Sequence, residues 1–357
     1  MPFPPENPLG LQWRDAIAAA LAPLTDDFTA SLVELDNELL PLASAATSYL
    51  GAGKRVRPAF AYWAYTACAV PDTEPRHLLQ AVCALEFLHA GLLIHDDLID
   101  SSPTRRGHPT AHIMLAAAYP DARDPNELGR SSAVLLGTML IQWATKVLST
   151  VVAPQLCLAS ANECLSATIR EVLAGQQIDL LAEQLNVLDA ERRMALISKV
   201  SAAKTGSYTV RGPLRLGLAL AAAPDSSYAA FEHYAAPVGI GFQLRDDLLD
   251  LNGDPALTGK TPGGDILRGK RTGLIATALS RANPAERAVL DANLGSPDAD
   301  IAAVRAVLER SGVLADAEAR LLELEHQATQ ALRSLDMPSD ARTALEQLAR
   351  LTLFRER

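Results

Sequence analysis

The chain has 357 residues, 49% of which are hydrophobic, and its formal net charge at pH 7 is −10. The hydrophobic content excludes a disordered chain, and the negative charge argues against nucleic acid as a partner. Polar or charged residues interrupt the apolar stretches before they reach the ~18 residues that a membrane-spanning helix needs, so we expect no transmembrane segment.

The N-terminal residues and the cysteines indicate a compartment. Met1–Pro8 lacks a basic start followed by an apolar segment, so no signal peptide is expected. The 4 cysteines lie scattered in apolar patterns and form no Cys-x-x-Cys pair. Such usage is typical of a reduced environment. We therefore predict a cytoplasmic protein.

The hydrophobic patterning is helical along the chain. Apolar residues recur at three- and four-residue spacing, for example at Leu78, Val82 and Leu85. Long alternating runs of β-branched residues are missing, so strands are not expected. Turn signals separate the helices, but no linker is long enough to mark a boundary. The sequence predicts an all-α protein with a single domain over residues 1–357, in which residues 1–25 form a peripheral N-terminal segment.

A glycine-rich basic turn precedes an apolar helix early in the chain. The segment Gly51–Pro58 contains Lys54 and Arg57, which are three residues apart and share one helix face. The amides of a helix N-terminus and two cations together favour a diphosphate group. Taken alone, the pattern is more typical of an ordinary basic surface turn.

Two aspartate-rich motifs carry the strongest chemical signal. Asp96 and Asp100 are four residues apart and lie on one helix face, with Asp97 on the flank. Like charges at this spacing destabilise a helix. Mg²⁺ offsets this repulsion, because it prefers oxygen ligands and is often shared with substrate phosphates.

The second motif repeats this spacing with Asp246, Asp247 and Asp250. A single motif is as typical of a solvated acidic helix end as of a metal site. Here apolar residues precede both motifs and place them at the rim of a core. Two copies in that setting favour a metal site.

Further cations accompany the aspartates. Arg105 and Arg106 closely follow the first motif, and a guanidinium binds two phosphate oxygens at once. Lys204 lies further along, and Lys260 and Lys270 lie in the loop after the second motif. Considered singly, each of them is more typical of a solvated surface charge.

Taken in order from Gly51 to Lys270, these blocks resemble the trans-type isoprenyl diphosphate synthases, also called polyprenyl synthetases, and most of all a bacterial geranylgeranyl diphosphate synthase. The blocks Gly175–Asp179 and Phe242–Asp247 are also similar to those of the family. The resemblance implies a helical bundle around a central cavity, the isoprenoid synthase fold, and a homodimer. It also implies Mg²⁺-dependent head-to-tail condensation of isopentenyl diphosphate with an allylic diphosphate.

The resemblance implies roles for four groups of residues. Three Mg²⁺ would be held on the allylic diphosphate by Asp96, Asp97, Asp100, Asp246, Asp247 and Asp250. The same diphosphate would be contacted by Arg105, Lys204, Lys260 and Lys270. Isopentenyl diphosphate would be bound by Lys54, Arg57, His89 and Arg106. The reacting centre would be lined by Lys204, Thr205 and Gln243.

Some positions depart from the family pattern or add to it. Ala52 replaces a glycine, although Gly53 is retained, and Thr138 stands where many relatives carry aspartate. Neither change removes a residue with an implied role. Asp265 lies where the family has another acidic residue near the metals. Without the resemblance, His89 would be interpreted as a core histidine.

The residues before Asp96 bear on product length. In relatives that stop at fifteen carbons, an aromatic residue often lies four or five positions before the first aspartate. Leu92 and Gly91 occupy those positions here, and Leu88 lies one turn below. We therefore expect a product of at least twenty carbons, with geranylgeranyl diphosphate the best single prediction.

Two alternative functions remain open at this point. A terpene cyclase shares an aspartate-rich first motif, but it usually has a different second metal motif and no isopentenyl site. A non-catalytic subunit of a heteromeric synthase commonly loses its metal aspartates. The intact second motif and the Lys54–Arg57 block favour the synthase over both.

Overall fold

The structure of the protein is a computed structural model that describes residues 3–51, 53–68, 75–184, 192, 195–196, 201–252 and 262–356. Helices form nearly all of the regular structure within these ranges. In chain order they are α1 Leu11–Val33, α2 Leu40–Gly51, α3 Val56–Cys68, α4 Pro75–Val82, α5 Ala84–Ile99, α6 Ala111–Ala118, α7 Pro125–Thr150, α8 Gln155–Gln184, α9 Gly212–Leu220, α10 Asp225–Asn252, α11 Gly264–Leu267, α12 Gly273–Arg281, α13 Pro284–Asn293, α14 Ile301–Arg310, α15 Val313–Arg333 and α16 Ser339–Leu353.

Two short helical segments and one hairpin complete the secondary structure. A 3-10 turn, Asn37–Leu39, precedes α2, and a π-helical segment, Ser201–Arg211, precedes α9. Strand is confined, within the described ranges, to an antiparallel pair of β1 Thr104–Arg105 and β2 His108–Pro109. The all-α prediction is therefore confirmed.

The chain divides into two compact units. The first unit comprises Met1–Ile169, Gly212–Tyr228 and Met337–Leu348, and the second comprises Arg170–Arg211, Ala229–Asp336 and Ala349–Arg357. The single domain expected over residues 1–357 stays a prediction.

The core of the first unit depends on close contacts between helices. Helix α5 packs along α7, and α3 packs against α9. A Cβ added at Gly91 of α5 would lie 2.5 Å from the Gly137 carbonyl oxygen of α7. Because both positions are glycine, the two backbones approach more closely than side chains would allow. This packing sets the position of the first aspartate motif at the end of α5.

The N-terminal residues contribute to this core. Trp13 and Ile17 of α1 are buried. The Phe3 ring lies edge-on to Trp13, with centroids 5.1 Å apart, and to Tyr62 of α3, at 5.3 Å. The segment 1–25, which the sequence suggested to be peripheral, therefore places aromatic side chains against α3.

Three helical stretches are long and apolar enough, by length and composition alone, to cross a membrane: Leu11–Val33, His77–Ile99 and Pro125–Thr150. In the most apolar of them, His77–Ile99, 72% of the 18-residue apolar stretch is buried inside the protein. Burial of this kind is typical of a core helix. The absence of a transmembrane segment stays a prediction.

The second unit has its own apolar core and clear helix starts. Buried residues of α14 and α15 include Val307, Leu321 and Leu324. Asn283 begins α13 with a capping box that involves Glu286. Gly239 of α10 lies against Gly206 of the π-helical segment, where an added Cβ would be 2.7 Å from the Gly206 Cα. π-helical turns occur frequently at functional sites.

Candidate active site

The basic turn before α3 has a distinctive backbone. Gly53 has a φ of +147°, and Arg55, the residue before α3 begins, has a φ of 58° in the left-handed region. Lys54 is exposed, whereas Arg57 is buried in the first turn of α3. The turn therefore directs its two predicted phosphate-binding side chains into different environments.

Arg55 is buried and anchors this turn. Its guanidinium forms an ion pair with Glu86 of α5, and its Nη2 donates to the Leu50 carbonyl at 2.7 Å. The Trp13 indole Nε1 donates to the Arg55 carbonyl at 3.1 Å. The sequence patterns considered above did not predict this network. A glutamate in the apolar run 84–88 was the available signal, because a buried carboxylate requires a partner.

The hairpin after α5 orients the two neighbouring arginines. Thr104 pairs with Pro109 and Arg105 with His108, which leaves Arg106 and Gly107 as a two-residue turn. Both turn residues have positive φ, 53° and 79°. This is the backbone that a type I′ hairpin requires.

Arg106 extends toward the basic turn. A Cβ built on Gly53 would lie 3.8 Å from the Arg106 Nη2 and 3.9 Å from the Glu86 Oε2. Burial and the neighbouring Arg105 lower the pKa of Arg106. The hairpin and the Gly53–Arg57 turn thus meet in one cationic region.

His89 lies within the same region. Its pKa is lowered well below the ordinary value, first because of burial and then because of repulsion by Arg57 and Arg106. Arg105 and Arg55 lower it further. We call Arg57, His89 and Arg106 the cationic cluster. An anion placed here would meet concentrated positive charge.

The first aspartate motif does not present its carboxylates uniformly. Asp97 is buried, and its two oxygens accept from the Arg105 Nε at 2.8 Å each. The Tyr49 hydroxyl donates to the Asp97 Oδ2 at 2.7 Å. Asp96 and Asp100 are half-buried, and Asp96 lies 3.6 Å from the Arg105 Nη2.

The family resemblance implied a metal-binding role for Asp97 and a diphosphate-binding role for Arg105. In the structure these two side chains engage each other. Burial and the Asp97 charge raise the pKa of the Tyr49 phenol well above its ordinary value, so Tyr49 acts as a hydrogen-bond donor here. The metal role of Asp97 stays a prediction.

The second aspartate motif crowds negative charge within the second unit. Asp247 is buried and accepts from the Gln243 Nε2 at 2.7 Å. Its pKa is raised well above the ordinary value by burial and then by Asp265, with smaller contributions from Asp246 and Asp250. We call these four aspartates the carboxylate cluster.

Residues 263–268, which include the short helix α11, lie against this motif. The Asp265 amide donates to the Asp250 Oδ2 at 2.9 Å, and the Gly263 amide donates to the Asp250 carbonyl at 2.7 Å. The Arg268 Nη2 pairs with the Asp265 Oδ1 at 2.7 Å. Asp265, in helix α11, therefore brings a fourth carboxylate to the motif, in agreement with the resemblance.

The C-terminal residues also reach the second motif. Arg355 forms an ion pair with Asp246, and its guanidinium lies 3.8 Å from the centroid of the Phe242 ring. The Arg245 Nε donates to the Arg355 carbonyl at 2.6 Å. The sequence did not indicate a role for Arg355, because no local pattern links positions so far apart.

The structure describes only some of the remaining predicted residues. The Lys270 Nζ lies 4.0 Å from the Asp179 Oδ2, so the Gly175–Asp179 block and the loop lysine come together. Lys204 and Thr205 belong to the π-helical segment, but their side chains lie outside the described part of the structure. Lys260 lies wholly outside the described residues.

Comparison with known proteins identifies the family of this chain. The sequence model of the polyprenyl synthetase family matches residues 41–311. The chain belongs to the polyprenyl synthetase family. This polyprenyl synthetase is 30% identical over 332 residues to a short chain isoprenyl diphosphate synthase of Methanothermobacter thermautotrophicus, covering 91% of this chain and 93% of that one. It is 31% identical to the geranylgeranyl diphosphate synthase of Mycobacterium tuberculosis over 254 residues, covering 67% and 66% of the two chains.

Solved structures give the same result. The geranylgeranyl pyrophosphate synthase of Corynebacterium glutamicum, in complex with isoprenyl diphosphate and magnesium, superimposes with a TM-score of 0.88 at 32% identity, covering 96% of this chain and 98% of that one. The isoprenoid synthase fold is thereby confirmed. Like its relatives, this polyprenyl synthetase is a prenyltransferase that elongates prenyl diphosphates.

The carboxylates of this polyprenyl synthetase fit a hydrated divalent cation. Among the described residues, no three histidine, cysteine, aspartate or glutamate side chains form a ready-made cage for a metal ion. Mg²⁺ rarely uses such a cage, because it keeps several waters and binds through one or two carboxylates and substrate phosphates. The charge crowding around Asp247 is what such a cation would relieve.

The chain-length positions differ from the sequence-based interpretation in one respect. Leu88 and Leu92 are buried, as expected for residues beneath the motif. Gly91 does not leave an open floor, because the Gly137 carbonyl of α7 occupies the space beside it. The interpretation of Gly91 is therefore corrected, because the glycine permits close packing of α5 against α7 and does not open space below the motif. The role of Leu88, Gly91 and Leu92 in product length stays a prediction.

Proposed function

We propose that this polyprenyl synthetase condenses isopentenyl diphosphate with an allylic diphosphate in the presence of Mg²⁺, and that its main product is geranylgeranyl diphosphate or a somewhat longer homologue. The observation that carries the proposal is the presence of two clusters of opposite charge in a chain of this family. The cationic cluster suits a diphosphate. The carboxylate cluster suits the cations that accompany one.

The proposed isopentenyl site consists of Lys54 and the cationic cluster of Arg57, His89 and Arg106. Support comes from the Gly53 turn, which brings the Arg106 guanidinium beside the basic loop. Since His89 has a lowered pKa, it is neutral at pH 7 and offers the diphosphate a hydrogen bond rather than a charge.

The proposed allylic site is built on the two aspartate motifs. Three Mg²⁺ would be held by Asp96, Asp97, Asp100, Asp246, Asp247 and Asp250, and they would neutralise the diphosphate leaving group when bound. Further positive charge would come from Arg105, Lys204, Lys260 and Lys270. Gln243, which already donates to Asp247, would hold that carboxylate in place beside the reacting centre with Lys204 and Thr205.

The proposed reaction uses these groups in turn. Arg105 and the lysines stabilise the departing diphosphate while the allylic C–O bond breaks. The double bond of isopentenyl diphosphate, held by the cationic cluster, then attacks the allylic cation, and the departed diphosphate accepts the proton that is lost. Polar oxygens such as those of Thr205 and Gln243 steady the positive charge. No side-chain nucleophile is required.

We also propose a homodimer and a soluble, cytoplasmic location. Helices α6 and α7 expose several large apolar side chains, namely Ile113, Leu128, Val134 and Leu135. Exposed apolar residues that cluster on neighbouring helices are typical of an interface between subunits. Sedimentation equilibrium of the purified chain tests the oligomeric state.

A product-length assay tests the central proposal. The purified full chain is incubated with Mg²⁺, radiolabelled isopentenyl diphosphate and dimethylallyl, geranyl or farnesyl diphosphate in turn. We expect twenty-carbon product, and farnesyl diphosphate as the sole product would contradict the product length. In a separate incubation with geranylgeranyl diphosphate as the single substrate, its consumption would indicate a terpene cyclase. No turnover by the single chain would indicate a non-catalytic subunit.

A further inference from the structure

Arg55 holds a disfavoured backbone conformation at a position where the site needs accuracy. Its φ of 58° is uncommon for a residue with a side chain. It lies between Lys54 and Arg57, two residues of the proposed isopentenyl site. A non-glycine residue keeps such a conformation only where its surroundings over-determine it.

Contacts from four other residues hold Arg55 in place. Its side chain is fixed by the Glu86 ion pair and by the hydrogen bond to the Leu50 carbonyl. Its carbonyl accepts from the Trp13 Nε1 at 3.1 Å and from the Ala59 amide at 3.2 Å. The Ala59 bond is the first of α3, so the Trp13 indole holds the carbonyl from which the helix begins.

Trp13 is itself rigidly placed. It is 1% exposed, and it packs against the Phe3 ring at 5.1 Å and the Tyr62 ring at 5.3 Å. Its only polar atom is the indole N–H, and this is the atom that reaches Arg55. The direction of the Arg55 carbonyl is therefore set by a side chain of the N-terminal segment.

We propose that Trp13 is a positioning residue for the isopentenyl diphosphate site, acting through the Arg55 carbonyl on the turn that carries Lys54 and Arg57. This inference rests on the proposed function of the cationic cluster. Rotation of the 55–56 peptide would change where α3 starts and hence where Arg57 points. It would also shift Gly53 relative to the Arg106 guanidinium, which lies beside it.

The chain offers a matched control for this role. Trp63 is also fully buried and packs against Tyr62, with ring centroids 5.2 Å apart. Its Nε1 makes no hydrogen bond to any residue that the structure describes. Trp13→Phe and Trp63→Phe therefore remove the same atoms from the same aromatic group, but only the first removes the bond to Arg55.

The test is steady-state kinetics of the full chain with isopentenyl and farnesyl diphosphates, together with thermal unfolding. We expect Trp13→Phe to raise the KM for isopentenyl diphosphate about five-fold, as expected for loss of one hydrogen bond. The kcat and the KM for farnesyl diphosphate should change less than about two-fold, since Trp13 acts only on the isopentenyl site. Trp63→Phe should leave all three constants unchanged.

The outcomes separate this inference from the proposed function. Equal effects of the two tryptophan variants on KM, or a change in melting temperature alone, would overturn the positioning role. If Arg57→Ala also leaves the KM for isopentenyl diphosphate unchanged, the proposed site itself is wrong. Should Trp13→Phe fail to fold, Phe3→Leu, which loosens the Trp13 ring without removing its N–H, must still raise that KM; an unchanged KM would overturn the inference.

Discussion

The Arg355 guanidinium pairs with the Asp246 carboxylate, so a residue near the C-terminus supplies a positive charge to the second aspartate motif. The pairing is supported by the Phe242 ring beneath the guanidinium and by the Arg245 bond to the Arg355 carbonyl. A cation bound at Asp246 would compete with this guanidinium for the same oxygens.

Replacing Arg355 should therefore change the metal requirement. We expect Arg355→Gln to lower the Mg²⁺ concentration for half-maximal activity by about three-fold, because the metal no longer displaces a competing charge. Arg350→Gln is the control, since Arg350 is exposed near the end of α16, five residues before Arg355, and carries the same charge. A titration of activity against Mg²⁺ measures both, and an identical midpoint in the two variants would contradict the competition.

Substitutions at two aspartates of the first motif should affect stability and catalysis differently. Asp97→Asn breaks a buried ion pair with Arg105, and we expect it to lower the free energy of unfolding by about 3 kcal/mol as well as activity. Asp100→Asn should reduce kcat strongly with a change in stability below about 0.5 kcal/mol, as for a site away from such buried pairs. Urea denaturation and kcat are measured for both. Equal losses of stability would contradict this division.

Gly91 should be sensitive to the smallest addition. Gly91→Ala places a Cβ 2.5 Å from the Gly137 carbonyl oxygen, and we expect overpacking to destabilise the protein by about 1–3 kcal/mol. The control is Gly51→Ala at the end of α2, where an added Cβ meets no described atom within 4 Å. Thermal unfolding compares the two. An unchanged melting temperature for Gly91→Ala would show that α5 and α7 separate easily.

Three cysteines should react slowly with alkylating reagents. Burial raises the pKa of the Cys68, Cys83 and Cys164 thiols. Because the thiolate is the reactive form, a raised pKa lowers its fraction at pH 8, and labelling should accelerate only at higher pH. Mass spectrometry after iodoacetamide treatment measures each site. Rapid labelling of Cys83 in the folded protein at pH 8 would be inconsistent with its burial.

The sequence predicted the features that depend on local spacing. The helical period predicted the helices that carry the two motifs, α5 and α10, and the spacing of Asp246, Asp247 and Asp250 accounts for part of the negative charge around Asp247. The family resemblance grouped Asp97 with Asp96 as a metal ligand, although neighbouring helical residues point about 100° apart. The motif therefore did not indicate that the Asp97 side chain contacts Arg105 and Tyr49.

Long-range partners were beyond sequence patterns. Nothing near Trp13 shows that its N–H reaches Arg55, and nothing near Asp246 points to Arg355. Such pairs arise only after the helices pack. Gly91 shows the converse problem, since a missing side chain in sequence indicates space, whereas in the fold the backbone of another helix fills it.

The two-residue hairpin gives its neighbouring arginines different partners. Arg105, in β1, forms an ion pair with Asp97 of the first motif. Arg106, in the hairpin turn, lies near the Gly53 turn and His89. A small rigid element thus connects the regions proposed for the two substrates. If the binding of one diphosphate displaced the hairpin, the affinity for the other diphosphate would change, and thermodynamic linkage requires the two effects to be equal.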